Sequence, residues 1–496
     1  MPSQGGLPPL GACREKDCTG IDKGPMDLTF RRMARSYLAY TLDQRLLLPP
    51  DMREWLPEGH LALFVLDVVS VLDLSAIHKV YEARDDRGRA GFDPRMMVTL
   101  LVYAYCVGKP SSRKIERATY EDVAFRVLSG DQHPDHDCIA SFRKEHLGAL
   151  AGLFAQVLQL CQKAGLVKLG HIAIDGSKVK ANASKHKAMS YERMGETEKR
   201  LEQEVAELLA RAEQTDAQED AEYGLGRRGD ELPKELARRE SRLAKIREAK
   251  AALEAEAKAK VQSRAEEAKA KIPERAAATD STTPEPASNA PDAPEAKPAP
   301  QAQRNFTDPE SRIMPDGANK GAFVQAYNVQ IAVDAEAQII VAADVVQASN
   351  DVRQLVPMAE AIVANVGALA ATTSADAGYF SKENVEHPAL ASTQLLVPPS
   401  RQKHGQTPLP GSDDPSASAA DRMRYKLASD AGRALYKMRK AIVEPVFGQL
   451  KAARNMRQFL LRGLEAARGE FALMALTHNL LKLFRRGVPA LASIAD

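Results

Sequence analysis

The chain has few cysteines, little net charge and no long apolar run. Its five cysteines, Cys13, Cys18, Cys106, Cys138 and Cys161, are scattered irregularly through 496 residues. That usage excludes a disulfide scaffold and predicts a reduced, cytoplasmic protein. Cys13 and Cys18 have no second Cys or His pair beside them, which argues against zinc. Residues 1–20 hold no apolar run of the secretory kind. The most apolar stretch, LALFVLDVVSVLDL (residues 61–74), is short and carries Asp67 and Asp73. It reads as a core helix rather than a membrane span. With a formal charge of only +2, bulk charge does not mark a nucleic-acid binder.

What is present is apolar bulk and a local basic excess. Apolar residues make up 44% of the chain, enough for a sizeable core and, at this length, for roughly three domains. Between Asp421 and Gly487, fifteen Lys and Arg face five Asp and Glu, a footprint suited to a polyanion.

Composition divides the chain further. Residues 1–30 are rich in Gly and Pro and read as an irregular N-terminus. Residues 31–165 read as helical. Asp93-Pro94 supplies a cap and a first-turn proline to RMMVTLLVYAYCVG. SSRKIERATYEDVAFRVLSG is a further helix ended by glycine, and Asp137 caps another, CIASFRKEHLGALAGLFAQVLQLCQKAG. A Pro-containing turn before a helix with Arg143 and Lys144 suits a helix-turn-helix-like DNA-binding unit; an ordinary bundle with a basic solvated face fits the same pattern. Residues 166–190 open an α/β region. Residues 191–272 carry Glu, Lys, Ala, Arg and Leu at helical spacing, broken at YGLGRRGDELP, which predicts a long helical hairpin with solvated charged faces. Residues 273–305 are rich in Pro and Ala and read as a disordered linker. Over residues 306–496, two β-branched runs joined by AEA predict a hairpin, then a helix, two strands and a basic helical C-terminus. Without the insert the order is strand, strand, strand, helix, strand, strand, helix, an α/β layer with helices on a mixed sheet.

Two strands end in a carboxylate followed by a small residue: HIAIDGSKVKANAS (171–184) at Asp175, and SADAGY at Asp376. Asp-Gly is a turn dipeptide, so Gly176 and Ser177 are expected to reverse the chain. If the two strands are parallel neighbours, both acids lie at the carboxyl edge, where ligands bind in such sheets. Adjacent aspartates repel unless a cation lies between them, and hard cations such as Mg2+ prefer carboxylate oxygens. A third acid is available in ALYKMRKAIVEPVFGQLKAARNMRQ. On a helical wheel centred on Tyr436, Lys440, Glu444 and Lys451 share one stripe and Arg439 flanks it. Lys440 and Glu444 are equally an ordinary i,i+4 pair. Pro445 is expected to kink or restart the helix, placing Glu444 at a bend. Asp344, Asp308 and Glu310 read as structural.

The segments AIDGSKVKANASK, SADAGYFSKENV and YKMRKAIVEPVFGQLKAARNMRQFLLRGLEAARGEFALMALTHNLLKL, together with the helical region around FDPRMMVTLLVYAYCVG, resemble bacterial insertion-sequence transposases of the Asp-Asp-Glu type. The resemblance implies an RNase H-like catalytic domain, a mixed sheet flanked by helices. The helical-hairpin insertion interrupts it and the all-α helix-turn-helix-like domain precedes it. It maps catalytic, metal-holding acids onto Asp175, Asp376 and Glu444, and a Tyr-Arg-Glu-Lys signature onto Tyr436, Arg439, Glu444 and Lys451. The family places three residues between the Arg and the Glu, and this chain has four. The cationic role therefore belongs to Arg439 or Lys440, and the wheel favours Lys440. The implied chemistry uses two Mg2+ or Mn2+ ions to cleave terminal inverted repeats and transfer strands into target DNA. Tyr436, Arg439, Lys440 and Lys451 would hold terminal phosphates, with Lys178 and Lys180 reaching neighbouring ones. The resemblance further implies a homodimer on double-stranded DNA in the bacterial cytoplasm and nucleoid. An inactive relative acting as a DNA-binding regulator is the alternative; the presence of all three acids argues against it.

Overall fold

Apolar residues at helical spacing, punctuated by capping aspartates, set the first part of the fold. The computed structural model describes residues 51–82, 91–223, 234–276, 297–401 other than Ala318 and Lys320, and 410–487. All of them belong to one compact unit, Asp51–Asp496. The expected irregular N-terminus, with Cys13 and Cys18, lies outside the described residues. The helices are α1 (Leu61–Val71), α2 (Ser75–Glu82), α3 (Pro94–Cys106), α4 (Ser112–Glu121), α5 (Val123–Ser129), α6 (His136–Glu145) and α7 (Leu147–Lys163). Two of the apolar runs give shorter helices than the periodicity suggests because a side chain caps inside each. Asp73 accepts from Ser75 N at 2.8 Å and starts α2. Asp122 accepts from Ala124 N at 3.0 Å and divides α4 from α5. Asp135, not Asp137, caps α6 by accepting from Cys138 N at 2.7 Å. The long helix expected there breaks at His146, which is buried and stacks on Tyr81 with ring centroids 5.5 Å apart.

The remaining elements are β1 (His171–Lys180), β2 (Ala188–Ser190), α8 (Tyr191–Tyr223), α9 (Lys234–Ala276), β3 (Gln303–Asn305), β4 (Arg312–Pro315), β5 (Phe323–Asp334), β6 (Ile340–Val346), α10 (Leu355–Val366), β7 (Thr372–Ala375), α11 (Lys382–Val385), β8 (Gln394–Leu396), α12 (Ala419–Ala428), α13 (Asp430–Gly448) and α14 (Leu464–Arg485). The main sheet runs β4-β5-β1-β7-β8, with β6 also on β5. β5 is antiparallel to β1, β4 and β6. β7 is parallel to β1, and β8 to β7.

β1 runs straight through Asp175-Gly176-Ser177, so the expected turn is absent. Gly176 faces Gln330 and Ser177 faces Val329 in the antiparallel register. Glycine serves close approach rather than reversal: a Cβ on Gly176 would lie 2.6 Å from Gln330 Nε2 and 2.7 Å from Asp351 Oδ1, inside van der Waals contact.

α8 and α9 pack antiparallel, as shown by the ion pairs of Glu198 with Arg247 and Lys250 and of Glu204 with Arg239. Met194, Leu201, Leu243, Ile246 and Leu253 form a small separate core between them. β2 and β3 pair at their base. The expected 273–305 linker is shortened at both ends, because α9 continues to Ala276 and Gln303–Asn305 is a strand. Residues 277–296 lie outside the described residues.

The main core is shared. α14 packs on α7 and α3 of the helical region and on β6 of the sheet, and one buried cluster includes Leu101, Val157, Ile340 and Leu476. α13 continues through Pro445, so the proline does not begin a new helix there. Proline offers no N–H to the Ala441 carbonyl, which instead accepts from Gln338 Nε2 at 3.0 Å. A π turn, Gln449–Ala453, follows. Among the described residues no single helix is long and apolar enough to cross a membrane.

Candidate active site

The parallel pairing of β1 with β7 ends at Ile174 opposite Ala375. Asp175 and Asp376 are therefore the next residue on each strand, at the same end of adjacent strands. Both are half-buried. Asp175 Oδ1 accepts from Gly176 N at 2.9 Å, and Asp376 Oδ1 accepts from Gly378 N at 2.8 Å. Burial pushes the Asp175 carboxyl above its usual range; Arg439 counters that shift and Asp376 adds to it.

Arg439 supplies the counter-charge. Its Nη1 donates to Asp175 Oδ2 at 3.0 Å, with only 10% of the Arg439 side chain exposed. Burial works against its charge, but Asp175, Tyr436 and Asp376 outweigh that, and the guanidinium is held cationic. Its carbon lies 5.9 Å from the Tyr436 ring centre, within cation–π range. Lys440, favoured by the wheel, is exposed, as is Glu444. The reason is the apolar stripe. Ile442, Val443 and Val446 are buried against the sheet, and Arg439, at i−3 and i−4 from the first two, lies on their side. A wheel centred on those apolar residues, rather than on Tyr436, selects Arg439.

The π turn after α13 redirects Lys451 onto β1. Its Nζ donates to Ser177 Oγ at 2.5 Å and to the Lys178 carbonyl at 2.7 Å. Burial, with repulsion from Lys178, lowers it to about 8, opposed by Asp316. Burial also lowers Lys178, opposed by Asp351 and Asp376. Lys180 is exposed; its backbone N–H donates to Arg457 O at 3.1 Å, and its carbonyl accepts from Phe459 N at 2.9 Å.

Successive residues of β1 face opposite sides of the sheet. Asp175 and Ser177 meet α13 and the π turn. Gly176 and Lys178 meet a side that sequence reasoning missed. There Asp351 Oδ1 accepts from Asn328 Nδ2 and Gln330 Nε2, both at 2.7 Å, and Gln330 Oε1 accepts from the Tyr379 hydroxyl. A Cβ on Gly378 would lie 2.9 Å from Asp376 Oδ1 and 3.8 Å from Asp351 Oδ2, so these two acids share one neighbourhood. Burial, then Asp351, Asp175 and Asp376, push the Tyr379 hydroxyl well above its usual value. Asp351 stands just before a helical run and reads from sequence as a helix start. Its side chain makes no cap hydrogen bond.

Two expected DNA contacts separate. Lys144 is exposed on α6. Arg143 is buried at 4% exposure, donating to Pro110 O at 2.8 Å and to the Tyr105 hydroxyl at 3.3 Å. It is a packing residue rather than a phosphate contact.

The carboxylate oxygens of Asp175 and Asp376 are donors of the type a hard divalent cation takes. Glu444 does not join them: it is exposed and makes no hydrogen bond or ion pair with the described residues. Among the described residues no three Asp, Glu, His or Cys side chains are gathered closely enough to hold an ion.

Both the helical front of the chain and the later part of the sheet match known families. The family described as Transposase domain (DUF772) matches residues 50–145, and the one described as Transposase DDE domain matches residues 278–480. Both parts of the chain thus match transposase families. The chain belongs to the insertion-sequence transposases of the Asp-Asp-Glu type, whose DDE domain implies nuclease and transposition activity. The second match contains Asp351, Asp376 and Glu444 and begins after β1, leaving Asp175 outside it. No curated protein and no solved structure matches the chain.

Proposed function

We propose that the protein binds the terminal inverted repeats of its element and catalyses strand cleavage and strand transfer at Asp175 and Asp376. The observation that carries this is the facing of the two aspartates across the end of the β1–β7 pairing. The order β6-β5-β1-β7-β8, antiparallel on one side of β1 and parallel on the other, supports an RNase H-like fold for the α/β part. Asp175 and Asp376 would hold Mg2+ or Mn2+, which when bound stabilises charge on the attacking and leaving oxygens of a phosphodiester. Glu444 is assigned as the third acid by the resemblance of its segment to the family's Tyr-Arg-Glu-Lys signature. Its exposure on α13 leaves it free to meet what DNA brings.

The chain's own groups do the rest. Arg439 neutralises Asp175 and keeps the acids together before substrate arrives. Lys451 and Lys178 present positive charge to backbone phosphates beside the acids, and Tyr436 lines the Arg439 side of the approach. Lys180 and Lys144 add exposed charge farther out. Two element ends must be paired for transposition, so a homodimer assembles on DNA.

Labelled element-end duplex with Mg2+ or Mn2+ tests this. Asp175→Ala, Asp376→Ala and Glu444→Ala are each expected to lower cleavage on the order of 10³-fold or more while sparing DNA binding. Wild-type cleavage by Asp376→Ala overturns the site. Wild-type cleavage by Glu444→Ala removes that residue alone and leaves Asp351 as the next acid to test.

A further inference from the structure

The α8–α9 pair pairs its charges on one side and leaves cations on the other. On the paired side Glu198 bonds Arg247 and Lys250, and Glu202 bonds Arg247. On the other side a cleft of about 420 Å³ lies at the base of the two helices, lined by His186, Lys187, Arg193, Arg242 and Lys245 with no carboxylate in its wall. All five are exposed. None of them takes part in an ion pair among the described residues. Ile246, Met189 and Phe306 form the apolar floor.

The spacing on α9 makes this surface costly for the isolated chain. Arg238, Arg242 and Lys245 follow at i, i+4 and i+7, so like charges repel along one helix face. Farther along the pair a neighbouring hollow holds Arg200, Arg238, Arg239 and Arg242 against one acid, Glu204, which pairs with Arg200 and Arg239. An anionic partner relieves that repulsion. A row of cations over two helices matches a repeating charge better than a single small anion. Lys187 also lies in the turn that follows β1, seven residues beyond Lys180, so one wall of the cleft is carried by the chain leaving the strand that bears Asp175.

We infer that this cleft is a second docking surface for the phosphate backbone of duplex DNA, making the α8–α9 insertion a DNA-binding arm. The inference rests on the transposase reading above and assigns the arm to the flank of the DNA that enters the acid site. It replaces the expectation that the insertion's charged faces are merely solvated.

The test is the salt dependence of binding by the full chain to element-end duplex. Lys187→Ala/Arg193→Ala/Arg242→Ala/Lys245→Ala is expected to weaken binding at least tenfold at moderate salt. It should also lower the slope of log K against log salt by about one per removed cation. Lys199→Ala/Lys258→Ala/Lys260→Ala, removing exposed cations elsewhere on the arm, is expected to leave the slope near wild type. A photo-crosslinker at Lys245→Cys should label the DNA and reads contact even if the fourfold variant folds poorly. Unchanged affinity and slope in a folded fourfold variant, or no crosslink, overturns the inference. So does loss of self-association with DNA binding intact, which makes the cleft a protein-docking surface. Asp175→Ala and Asp376→Ala keep the wild-type slope and lose cleavage, so failure of the arm and failure of the catalytic reading appear in different measurements.

Discussion

At the scale of single residues, charge beside the acids is adjusted by burial. Lys451 is held at about 8 by burial and by Lys178, below its value in an unfolded chain of about 10.5. Between those values the unfolded state binds more protons, so the contribution of Lys451 to stability improves as pH rises through that window. Its use as a phosphate contact runs the other way, because the cation is lost as pH passes about 8. Association with duplex DNA is therefore expected to weaken several-fold from about pH 7 to about pH 9.5, while thermal stability does not fall in parallel. Lys451→Arg keeps its charge over that range and should flatten the binding profile. Titrations by fluorescence anisotropy at constant ionic strength check this. A wild-type profile as flat as that of Lys451→Arg removes Lys451 from the phosphate contacts.

At the scale of elements, the β5–β6 turn fixes α13 over the acids. Gln338, at a positive φ of 57°, donates from Nε2 to the Ala441 carbonyl freed by Pro445 and accepts from Lys482 Nζ at 2.7 Å. Its own carbonyl accepts from His478 Nε2 at 2.9 Å. That bond fixes the Nε2–H tautomer, and burial holds the ring neutral by lowering it to about 3. Gln338→Ala keeps the backbone bond and loses both side-chain bonds. It is expected to cost about 1–2 kcal/mol in urea unfolding and to weaken cleavage more than binding, since α13 carries Arg439. The strands bearing Asp175 and Asp376 and the α/β order were legible because β-branched runs and polar breaks are local signals. The route of α13 was not, because the Ala441–Gln338 bond and the π turn at Lys451 depend on partners far away in sequence. Gly176 and Asp351 misled for the same reason. A glycine after Asp and an Asp before a helix have ordinary local explanations, and only the crossing of β1, β5 and the start of α10 shows that the two residues touch.

At the scale of the whole molecule, the helical region and the α/β part share a core through α14. Glu470, fully buried, accepts from Leu460 N at 2.9 Å, Leu461 N at 3.0 Å and the Tyr105 hydroxyl at 3.1 Å. Arg143 reaches the same tyrosine from α6. Burial raises the Glu470 carboxyl and Arg143 opposes that rise, so the charge of the α/β part is balanced from the helical part. The regions matched by the two family descriptions are therefore expected to unfold together. Calorimetry of the intact chain should give one main transition for them, apart from the α8–α9 arm, which has its own small core. Arg143→Ala should lower that transition by about 2–3 kcal/mol of stability without changing the DNA affinity of the folded fraction, whereas Lys144→Ala should weaken DNA binding and leave the transition in place. Two separate main transitions, with Arg143→Ala moving only the first, would show that α14 does not couple the helical region to the catalytic sheet.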